Sequence, residues 1–236
     1  MTAVSKCELV IIGAGGFGAV AASIAASMNE VNRCNSGVSW ELIGYVDDDA
    51  SKKRTRYADS RVLGTIEEVN CDYRRSDLWF FCAIGDNPTR AKISRRAESL
   101  GWKPATLVHP SAIIDHSVGI GPGTCIAPAV VICYGSKVGA HVVVDAQVSL
   151  GHDAVLMDHC SVFSGARING NCQVGPYALI GCNATLLPGT VVGDRAVVGA
   201  NSLAHGWVEP GATVFGVPVR ILRKDRNSPL IQEPVG

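Results

Sequence analysis

Residues 174–203 read VGPYAL, IGCNAT, LLPGTV, VGDRAV and VGANSL, five hexads that each begin with an aliphatic residue. The same spacing of six runs without a slip from residue 114 to residue 198, and every position in that series is Ile, Leu or Val. The fourth residue after each of these positions is small or is Val. An α-helix repeats near 3.6 residues and a simple strand repeats at 2. A period of six therefore predicts short strands separated by corners, wound around one axis.

Three hexads would form one coil of 18 residues, so residues 18 apart should stack on neighbouring coils about 4.8 Å apart. We expect about five such coils of a parallel β-helix, with no loop extruded between residues 114 and 203. Glycine follows the aliphatic residue in seven of the fifteen hexads. We expect it there because a tight corner favours a residue that has no Cβ.

The N-terminal part has a different pattern, in which an apolar strand at residues 9–12 leads into the glycine turn GAGGFG at residues 13–18. An Ala-rich helix at 19–28 is expected to follow, and such a turn lets backbone N–H groups approach a phosphate. The remaining predicted elements are strands at 41–46, 78–83 and 106–109, a helix at 90–100 and a polar loop at 29–40. This pattern predicts a small α/β domain, large enough for a mononucleotide and too short for a complete dinucleotide-binding fold.

Composition excludes several classes of protein. Lys and Arg number 21 and Asp and Glu number 21, so a zero net charge offers no basic face for nucleic acid. No apolar run approaches the ~18 residues that cross a bilayer, and no leader pattern opens the chain, so we expect a cytoplasmic protein that does not bind membranes. Nine Cys without a C-x-x-C pair indicate neither a disulfide framework nor a cysteine-rich zinc site.

The repeat resembles that of the hexapeptide-repeat acyltransferases, which fold as a left-handed triangular prism, usually trimerise and bind acyl-CoA between neighbouring subunits. The glycine turn, Asp47-Asp48 and residues 84–87 resemble the N-terminal domain of the nucleotide-aminosugar N-acetyltransferases, which are related to the bacterial sialic acid O-acetyltransferases. The resemblance implies an α/β nucleotide-binding-like domain at residues 1–105. A left-handed parallel β-helix at 106–223 and a tail at 224–236 would follow it.

The resemblance also implies a catalytic pair. His152 follows an inward-facing aliphatic position by two residues and should face outward at a corner, with Asp153 beside it. The family roles are general base for His152 and orienting partner for Asp153. Gly170 lies 18 residues after His152, and its backbone amide would face the thioester carbonyl. Cys182 and Ala200 are predicted to contact acetyl-CoA from a neighbouring subunit of a homotrimer.

For the N-terminal domain, the resemblance implies that the substrate's pyrophosphate meets the glycine turn, that its base or ribose meets the paired aspartates, and that the third strand's end closes the pocket. The predicted substrate-binding residues are Gly15, Gly16, Asp47, Asp48, Gly85 and Asn87. The implied activity is direct transfer of acetyl from acetyl-CoA to the amino group of a UDP-, GDP- or dTDP-linked aminosugar.

Three other functions stay open at this point: a sugar O-acetyltransferase, a nicotinamide-dependent oxidoreductase that uses the glycine turn, and a trimeric scaffold that binds no acetyl-CoA. No metal is expected. His141 and His159 are 18 residues apart and should stack on neighbouring coils. However, the paired ligands of the prism-type carbonic anhydrases lie five residues apart, a spacing that no two His residues show here. Cys160 and Cys172 occupy inward positions and are predicted to be core residues.

Overall fold

The computed structural model describes residues 6–32, 38–53, 55–58, 60–73 and 77–223, so the predicted tail at 224–236 lies outside the described residues. The chain divides into two compact units. The first comprises Met1–Ala112 and Pro122–Ala127, and the second comprises Ile113–Gly121 and Pro128–Gly236. The domain boundary expected after residue 105 stays a prediction.

The first unit is an α/β structure. Its elements in chain order are β1 (Lys6–Ile12), α1 (Gly16–Asn32), β2 (Ser39–Val46), a 3₁₀ turn (Ala50–Lys52), β3 (Arg56–Tyr57), β4 (Ser60–Gly64), α2 (Ile66–Tyr73), β5 (Trp79–Cys82), α3 (Asn87–Ser99), β6 (Lys103–Pro104) and β7 (Leu107–Val108). The main sheet has the order β3-β4-β2-β1-β5-β6 and is parallel except for the β3–β4 pair. β7 pairs in parallel with β10 (Cys125–Ile126), which also belongs to this unit.

The strand order reverses at β1, which lies between β2 and β5. In open α/β sheets of this kind, ligands bind outside the carboxyl ends of the strands at that reversal. Leu9, Val10 and Ile11 are all fully buried, which is the continuous apolar run expected of a strand covered on both faces. The glycine turn after β1 and the loop after β5 therefore flank the position where this fold holds a ligand.

Several predicted bounds in this unit are wrong. The helix expected at residues 19–28 is α1, Gly16–Asn32. Of the loop expected at 29–40, residues 29–32 belong to α1 and residues 39–40 belong to β2, while residues 33–37 lie outside the described residues. The Asn29 side chain both donates to and accepts from the Trp40 backbone at 2.7 Å, which joins α1 to β2. The second predicted helix begins at Asn87 because the Asp86 carboxylate accepts a hydrogen bond from the Thr89 amide at 2.9 Å and caps it.

Five elements of the first unit were not predicted: the 3₁₀ turn, β3, β4, α2 and β6. None of the helices in the described residues combines the length and the apolar character that a bilayer-crossing segment needs.

Most of the second unit consists of two-residue strands, which begin at six-residue intervals from residue 131 to residue 203 and four residues apart from residue 203 to residue 207. They are β8 (Ile113–Ile114), β9 (Gly119–Ile120), β11 (Val131–Ile132), β12 (Lys137–Val138), β13 (Val143–Val144), β14 (Ser149–Leu150), β15 (Val155–Leu156), β16 (Ser161–Val162), β17 (Arg167–Ile168), β18 (Gln173–Val174), β19 (Leu179–Ile180), β20 (Thr185–Leu186), β21 (Val191–Val192), β22 (Val197–Val198), β23 (Leu203–Ala204) and β24 (Trp207–Val208). Two longer strands, β25 (Thr213–Gly216) and β26 (Val219–Arg223), follow them.

These strands form three sheets, and in each sheet a strand pairs with the strand three places further along the chain. The orders are β8-β11-β14-β17-β20-β23, β9-β12-β15-β18-β21-β24 and β13-β16-β19-β22-β25-β26, and the pairs are parallel up to the antiparallel β25–β26 hairpin. Leu150 pairs with Ile132 on one side and with Ile168 on the other, a register of 18 residues. The unit is a left-handed parallel β-helix, which confirms the parallel β-helix predicted from the six-residue period and the handedness that the resemblance implied.

The core of the β-helix is filled as the period predicts. The aliphatic positions Leu150, Val162 and Ile168 are 0%, 0% and 1% exposed. Cys160 and Cys172 are fully buried in the same core, as predicted, and burial raises the pKa of the Cys172 thiol.

Glycine is needed after the aliphatic positions for a reason other than the one expected. The left-handed conformation falls two residues after the glycine position, and residues of several kinds adopt it there, such as Asp153 (φ 56°), Asn171 (φ 60°), Tyr177 (φ 59°) and Arg195 (φ 54°). The glycines that follow the aliphatic positions are not left-handed. A Cβ on Gly151 or on Gly181 would instead lie 2.5 Å from a backbone nitrogen of the next coil. These glycines permit close stacking of coils, and the expected role in corner geometry was wrong.

Gly181→Ala should therefore destabilise the fold, because the added methyl meets the backbone nitrogen of Ala200, which cannot move without the whole coil. Overpacking of this kind costs about 1–3 kcal/mol in the free energy of unfolding. Gly119→Ala is the matched control, since no atom lies within 4 Å of its Cβ position. Chemical denaturation of the two variants measures the difference, and equal stabilities would contradict this explanation of the glycines.

Candidate functional site

The predicted catalytic pair lies at the corner that follows β14. Leu150 is fully buried, and two residues later the chain exposes His152 and Asp153, whose side chains are 63% and 54% accessible. The corner is held to its neighbours by the backbone. The amide of Asp153 donates to the carbonyl of Tyr134 at 3.0 Å, and the amide of Asn171 donates to the carbonyl of His152 at 2.9 Å. The backbone of His152 is thus fixed by hydrogen bonds to the neighbouring coils, while its ring is exposed to solvent.

The two side chains form a hydrogen bond. Nδ1 of His152 lies 2.9 Å from Oδ2 of Asp153. A carboxylate can only accept, so Nδ1 carries the proton and Nε2 of the neutral ring keeps its lone pair. This arrangement gives the imidazole one orientation and leaves Nε2 available to accept a proton.

Gly170 lies directly against this ring. A Cβ on Gly170 would be 2.5 Å from Nε2 of His152, so any residue larger than glycine would clash with the imidazole in this position. The Gly170 carbonyl accepts from the amide of Gly189 at 3.0 Å, while its own N–H donates no hydrogen bond within the described residues. An unused backbone donor therefore lies beside the imidazole, and such a donor can stabilise negative charge on an oxygen.

Cys182 and Ala200 stack on a different corner of the same β-helix. Both are exposed, and the amide of Asn201 donates to the carbonyl of Cys182 at 2.8 Å. The corner that bears them follows β19 and β22, whereas the corner that bears His152 follows β14. Within one chain the structure does not bring these two residues to the catalytic pair. Their predicted contact with acetyl-CoA requires a second subunit and stays a prediction.

A third corner carries a column of stacked planar side chains. His141 and His159 stack as predicted, with ring centroids 5.0 Å apart and planes 4° from parallel. The column continues to Tyr177 at 5.3 Å, and the Arg195 guanidinium lies 5.0 Å from the Tyr177 ring. Sequence reasoning missed these two members, although their 18-residue spacing was available as a signal. Across the described ranges, no group of three or more His, Cys, Asp or Glu side chains is arranged to hold a metal.

The glycine turn between β1 and α1 has two kinds of glycine. Gly13 has a φ of 107°, and a Cβ on it would lie 3.0 Å from the Ala83 carbonyl oxygen, so it is needed for the turn and for contact with the loop after β5. Gly15 and Gly16 are exposed, and no atom lies within 4 Å of their Cβ positions. The first turn of α1 contains no acidic residue. These two glycines leave the helix N-terminus open, and a helix N-terminus favours an anion.

The two predicted aspartates have separate environments. Asp47 accepts hydrogen bonds from the amides of Ala14 at 2.9 Å and Asp49 at 3.0 Å and from Nζ of Lys52 at 2.9 Å. Partial burial acts to raise the pKa of Asp47, but the hydrogen bonds from Lys52 and the two amides outweigh it and lower that pKa. Asp48 is exposed and lies 3.4 Å from Arg96. Sequence reasoning did not identify Lys52, whose position carried no motif.

The loop after β5 is held by hydrogen bonds from a buried arginine. Arg90 of α3 is 1% exposed and donates to the carbonyls of Ile84 at 3.1 Å and Gly85 at 3.4 Å. Gly85 is exposed, whereas Asn87 is 5% exposed at the start of α3. Of the two residues predicted to close the pocket, Gly85 is open to a ligand at the strand reversal, and Asn87 is largely inside the fold.

Comparison with known proteins gives two family matches and several relatives. Residues 8–97 match the PglD N-terminal domain, and residues 171–206 match the bacterial transferase hexapeptide (six repeats). The chain is 27% identical over 224 residues to GDP-perosamine N-acetyltransferase of Escherichia coli O157:H7, an alignment that covers 92% of this chain and 97% of that protein.

Two solved structures extend the likeness to both units. The acetyltransferase domain of PglB from Neisseria gonorrhoeae in complex with acetyl coenzyme A is 28% identical, with a TM-score of 0.82 over 92% of this chain and all of that one. PerB from Caulobacter crescentus in complex with CoA and GDP-perosamine is 27% identical, with a TM-score of 0.79 over 93% of this chain and 99% of that one. The chain contains a PglD N-terminal domain and a bacterial transferase hexapeptide repeat, and over 92% of its length it is similar to GDP-perosamine N-acetyltransferase, which is consistent with the hexapeptide-repeat acyltransferase superfamily.

Proposed function

We propose that this protein transfers the acetyl group of acetyl-CoA to the amino group of a nucleotide-linked aminosugar. The observation that carries the proposal is the His152 imidazole, which is anchored by Asp153 at Nδ1 and lies with Nε2 against Gly170. The names of the relatives support the choice of substrates, because they include a GDP-perosamine N-acetyltransferase and a structure that holds CoA together with GDP-perosamine.

His152 is proposed to act as the general base. An amine that attacks a thioester must lose a proton as its nitrogen bonds to the carbonyl carbon, and a neutral imidazole with a reference pKa near 6.5 is suited to accept it. The proton would pass to Nε2, since Nδ1 is already committed to Asp153. The Asp153 carboxylate would then stabilise the imidazolium, which is the role that an acidic partner has in other histidine-based sites.

The Gly170 amide is proposed to bind the oxygen of the tetrahedral intermediate. When the amine adds to the thioester, the carbonyl oxygen becomes an oxyanion, and the unused N–H of Gly170 is a fixed donor beside the base. Collapse of the intermediate re-forms the carbonyl and breaks the carbon–sulfur bond. CoA then leaves as a thiol after it takes the proton from His152, so no covalent acyl-enzyme is needed.

A homotrimer is proposed to complete the acetyl-CoA site. His152 and Gly170 lie on one corner of the β-helix, while Cys182 and Ala200 lie on another, so a groove lined by both needs two copies of the chain. In the trimer, a neighbouring subunit would supply Cys182 and Ala200. The hexapeptide match at residues 171–206 spans both of these positions.

The sugar nucleotide is proposed to bind at the strand reversal of the first unit. Gly15 and Gly16 would face the diphosphate, while Asp48, Gly85 and Asn87 would adjoin the base or ribose or close the pocket. Asp47 lies at the same edge of the sheet, where it accepts a hydrogen bond from the glycine turn. Because acetyl-CoA and nucleotide sugars are substrates of the cytoplasm, a cytoplasmic location remains our expectation.

Thermal unfolding in the presence of ligands tests this assignment of substrates. A ligand that binds the native state raises its apparent stability, by about 2.7 kcal/mol at 100 times its dissociation constant. We expect stabilisation by acetyl-CoA and by at least one of GDP, UDP and dTDP. NADH is the matched control, because stabilisation by NADH without any by the diphosphates would favour a nicotinamide-dependent oxidoreductase. Failure of acetyl-CoA to stabilise the protein would favour a scaffold without catalytic activity.

A further inference from the structure

We propose that Lys52 binds the diphosphate of the substrate and that Asp47 is the positioning residue that holds Lys52 at the glycine turn. The inference rests on the proposed function, because it assigns a residue to the nucleotide-binding site of that reaction. It also changes the role expected for Asp47, from a contact with base or ribose to a support for a cation.

Lys52 lies after β2 and contacts the glycine turn that follows the neighbouring strand β1. It ends the 3₁₀ turn that follows β2, and its Nζ lies 2.9 Å from Oδ2 of Asp47 and 3.4 Å from the carbonyl oxygen of Ala14. Ala14 is the second residue of the glycine turn, and its own amide donates to the same Asp47 oxygen. The ammonium group is therefore fastened to the turn through both the carboxylate and the backbone.

The Lys52 ammonium group has one N–H donor left for a further acceptor. An ammonium group has three N–H donors, and the two contacts with Asp47 and Ala14 use two of them. The Lys52 side chain is 40% exposed, so a ligand can reach the third. The hydrogen bond with Asp47 also raises the pKa of Lys52, which keeps the side chain charged at neutral pH.

Asp47 itself is poorly suited to contact the substrate. Its carboxylate is 14% exposed and already accepts three hydrogen bonds, from the amides of Ala14 and Asp49 and from Lys52. A carboxylate cannot donate to phosphate oxygens and repels their charge. Its contacts instead orient a cation toward the turn, where Gly15 and Gly16 leave the N-terminus of α1 open. The helix end offers about half an elementary positive charge, and beside the turn Lys52 adds an ammonium donor whose charge is balanced by Asp47.

Lys53 provides a matched control from the same loop. Its side chain is 41% exposed, which is almost the same as for Lys52, and it also pairs with a carboxylate. That partner is Glu68 of α2, so Lys53 is tied to a helix rather than to the glycine turn. A general loss of positive charge from the loop would weaken binding equally in both variants, whereas a specific contact would not.

The test compares Lys52→Met, Lys52→Arg and Lys53→Met by calorimetric titration with GDP, UDP and dTDP, and separately with acetyl-CoA. Loss of a charged hydrogen bond predicts roughly 10- to 100-fold weaker binding of the preferred diphosphate by Lys52→Met. Lys52→Arg should recover part of the loss. Lys53→Met should bind like the wild type, and the affinity for acetyl-CoA should be unchanged throughout. Wild-type affinity for the diphosphate in Lys52→Met would overturn the inference and leave the proposed function intact. Failure of the wild type to bind any diphosphate would overturn the proposed function itself.

The role of Asp47 is tested by a double-mutant cycle. If Asp47 acts through Lys52, Asp47→Asn should weaken diphosphate binding in the wild type but have little further effect in Lys52→Met. If Asp47 contacts the substrate itself, the two losses should multiply, and that result would overturn its role as a positioning residue. Circular dichroism of each variant verifies that the fold is retained.

Discussion

Replacement of His152 by Ala is expected to lower kcat by roughly 10²- to 10⁴-fold, which is the usual contribution of a positioned general base. KM for both substrates should change little, because the ring acts on the proton of the amine in the transition state rather than on ground-state binding. Steady-state rates of CoA release at saturating acceptor measure the effect. The His152 ring is 63% exposed, so its removal should leave the stability of the fold almost unchanged.

His159→Ala is the matched control for that experiment. His159 is also a corner histidine of the β-helix, but it stacks between His141 and Tyr177 rather than beside Gly170. Its replacement should leave kcat near the wild-type value. Near-normal kcat in His152→Ala, or an equal loss in both variants, would contradict the assignment of His152 as the base.

Gly170→Ala is expected to reduce kcat by about 10²-fold while the protein stays folded, since a misplacement of about 1 Å can cost that much in rate. The new methyl would lie 2.5 Å from Nε2 and 2.7 Å from Cε1 of His152, and the ring must rotate away. Rotation would break the hydrogen bond with Asp153 and remove the base from its position. Because the ring is exposed and can move, the cost should fall on activity rather than on the free energy of unfolding.

The double variant His152→Ala, Gly170→Ala separates this cause from others. Alanine at 170 keeps the backbone N–H, so the donor proposed for the oxyanion is still present. If the methyl acts by displacing the ring, it should have almost no effect once the ring has been removed. A further large loss in the double variant would show that Gly170 contributes in another way.

The β-helix could be predicted from sequence because every buried aliphatic position also marks a place in the 18-residue register. That register alone places His152 and Gly170 on one corner. The hydrogen bond between His152 and Asp153 was expected only through the family resemblance. The reason for Gly151 and Gly181 was missed, since close approach between coils is a property of stacked backbones that one hexad does not display.

The first unit was harder to predict because its elements lack a shared period. The stretch that forms α2 has eight residues and carries Glu67 and Glu68 in its first turn. Its apolar positions are therefore too few to show a helical period. Lys52 shows the same difficulty for the site. Its partner Ala14 is 38 residues away in sequence, and nothing in a run of charged residues after β2 distinguishes Lys52 from Lys53. Long-range contacts of this kind appear only once the sheet has formed.

Direct measurement of acetyl transfer tests whether this protein N-acetylates a nucleotide-linked aminosugar. Wild-type protein would be incubated with acetyl-CoA and one acceptor at a time: GDP-perosamine, a UDP-linked aminosugar, a dTDP-linked aminosugar, or the GDP-sugar that has a hydroxyl in place of the perosamine amine. CoA release and product mass would be followed together. We expect equimolar CoA and an N-acetylated product with at least one of the three amino acceptors, and no product with the hydroxyl acceptor. Transfer to the hydroxyl acceptor in preference, or no transfer to any nucleotide-linked amine, would contradict the proposed function.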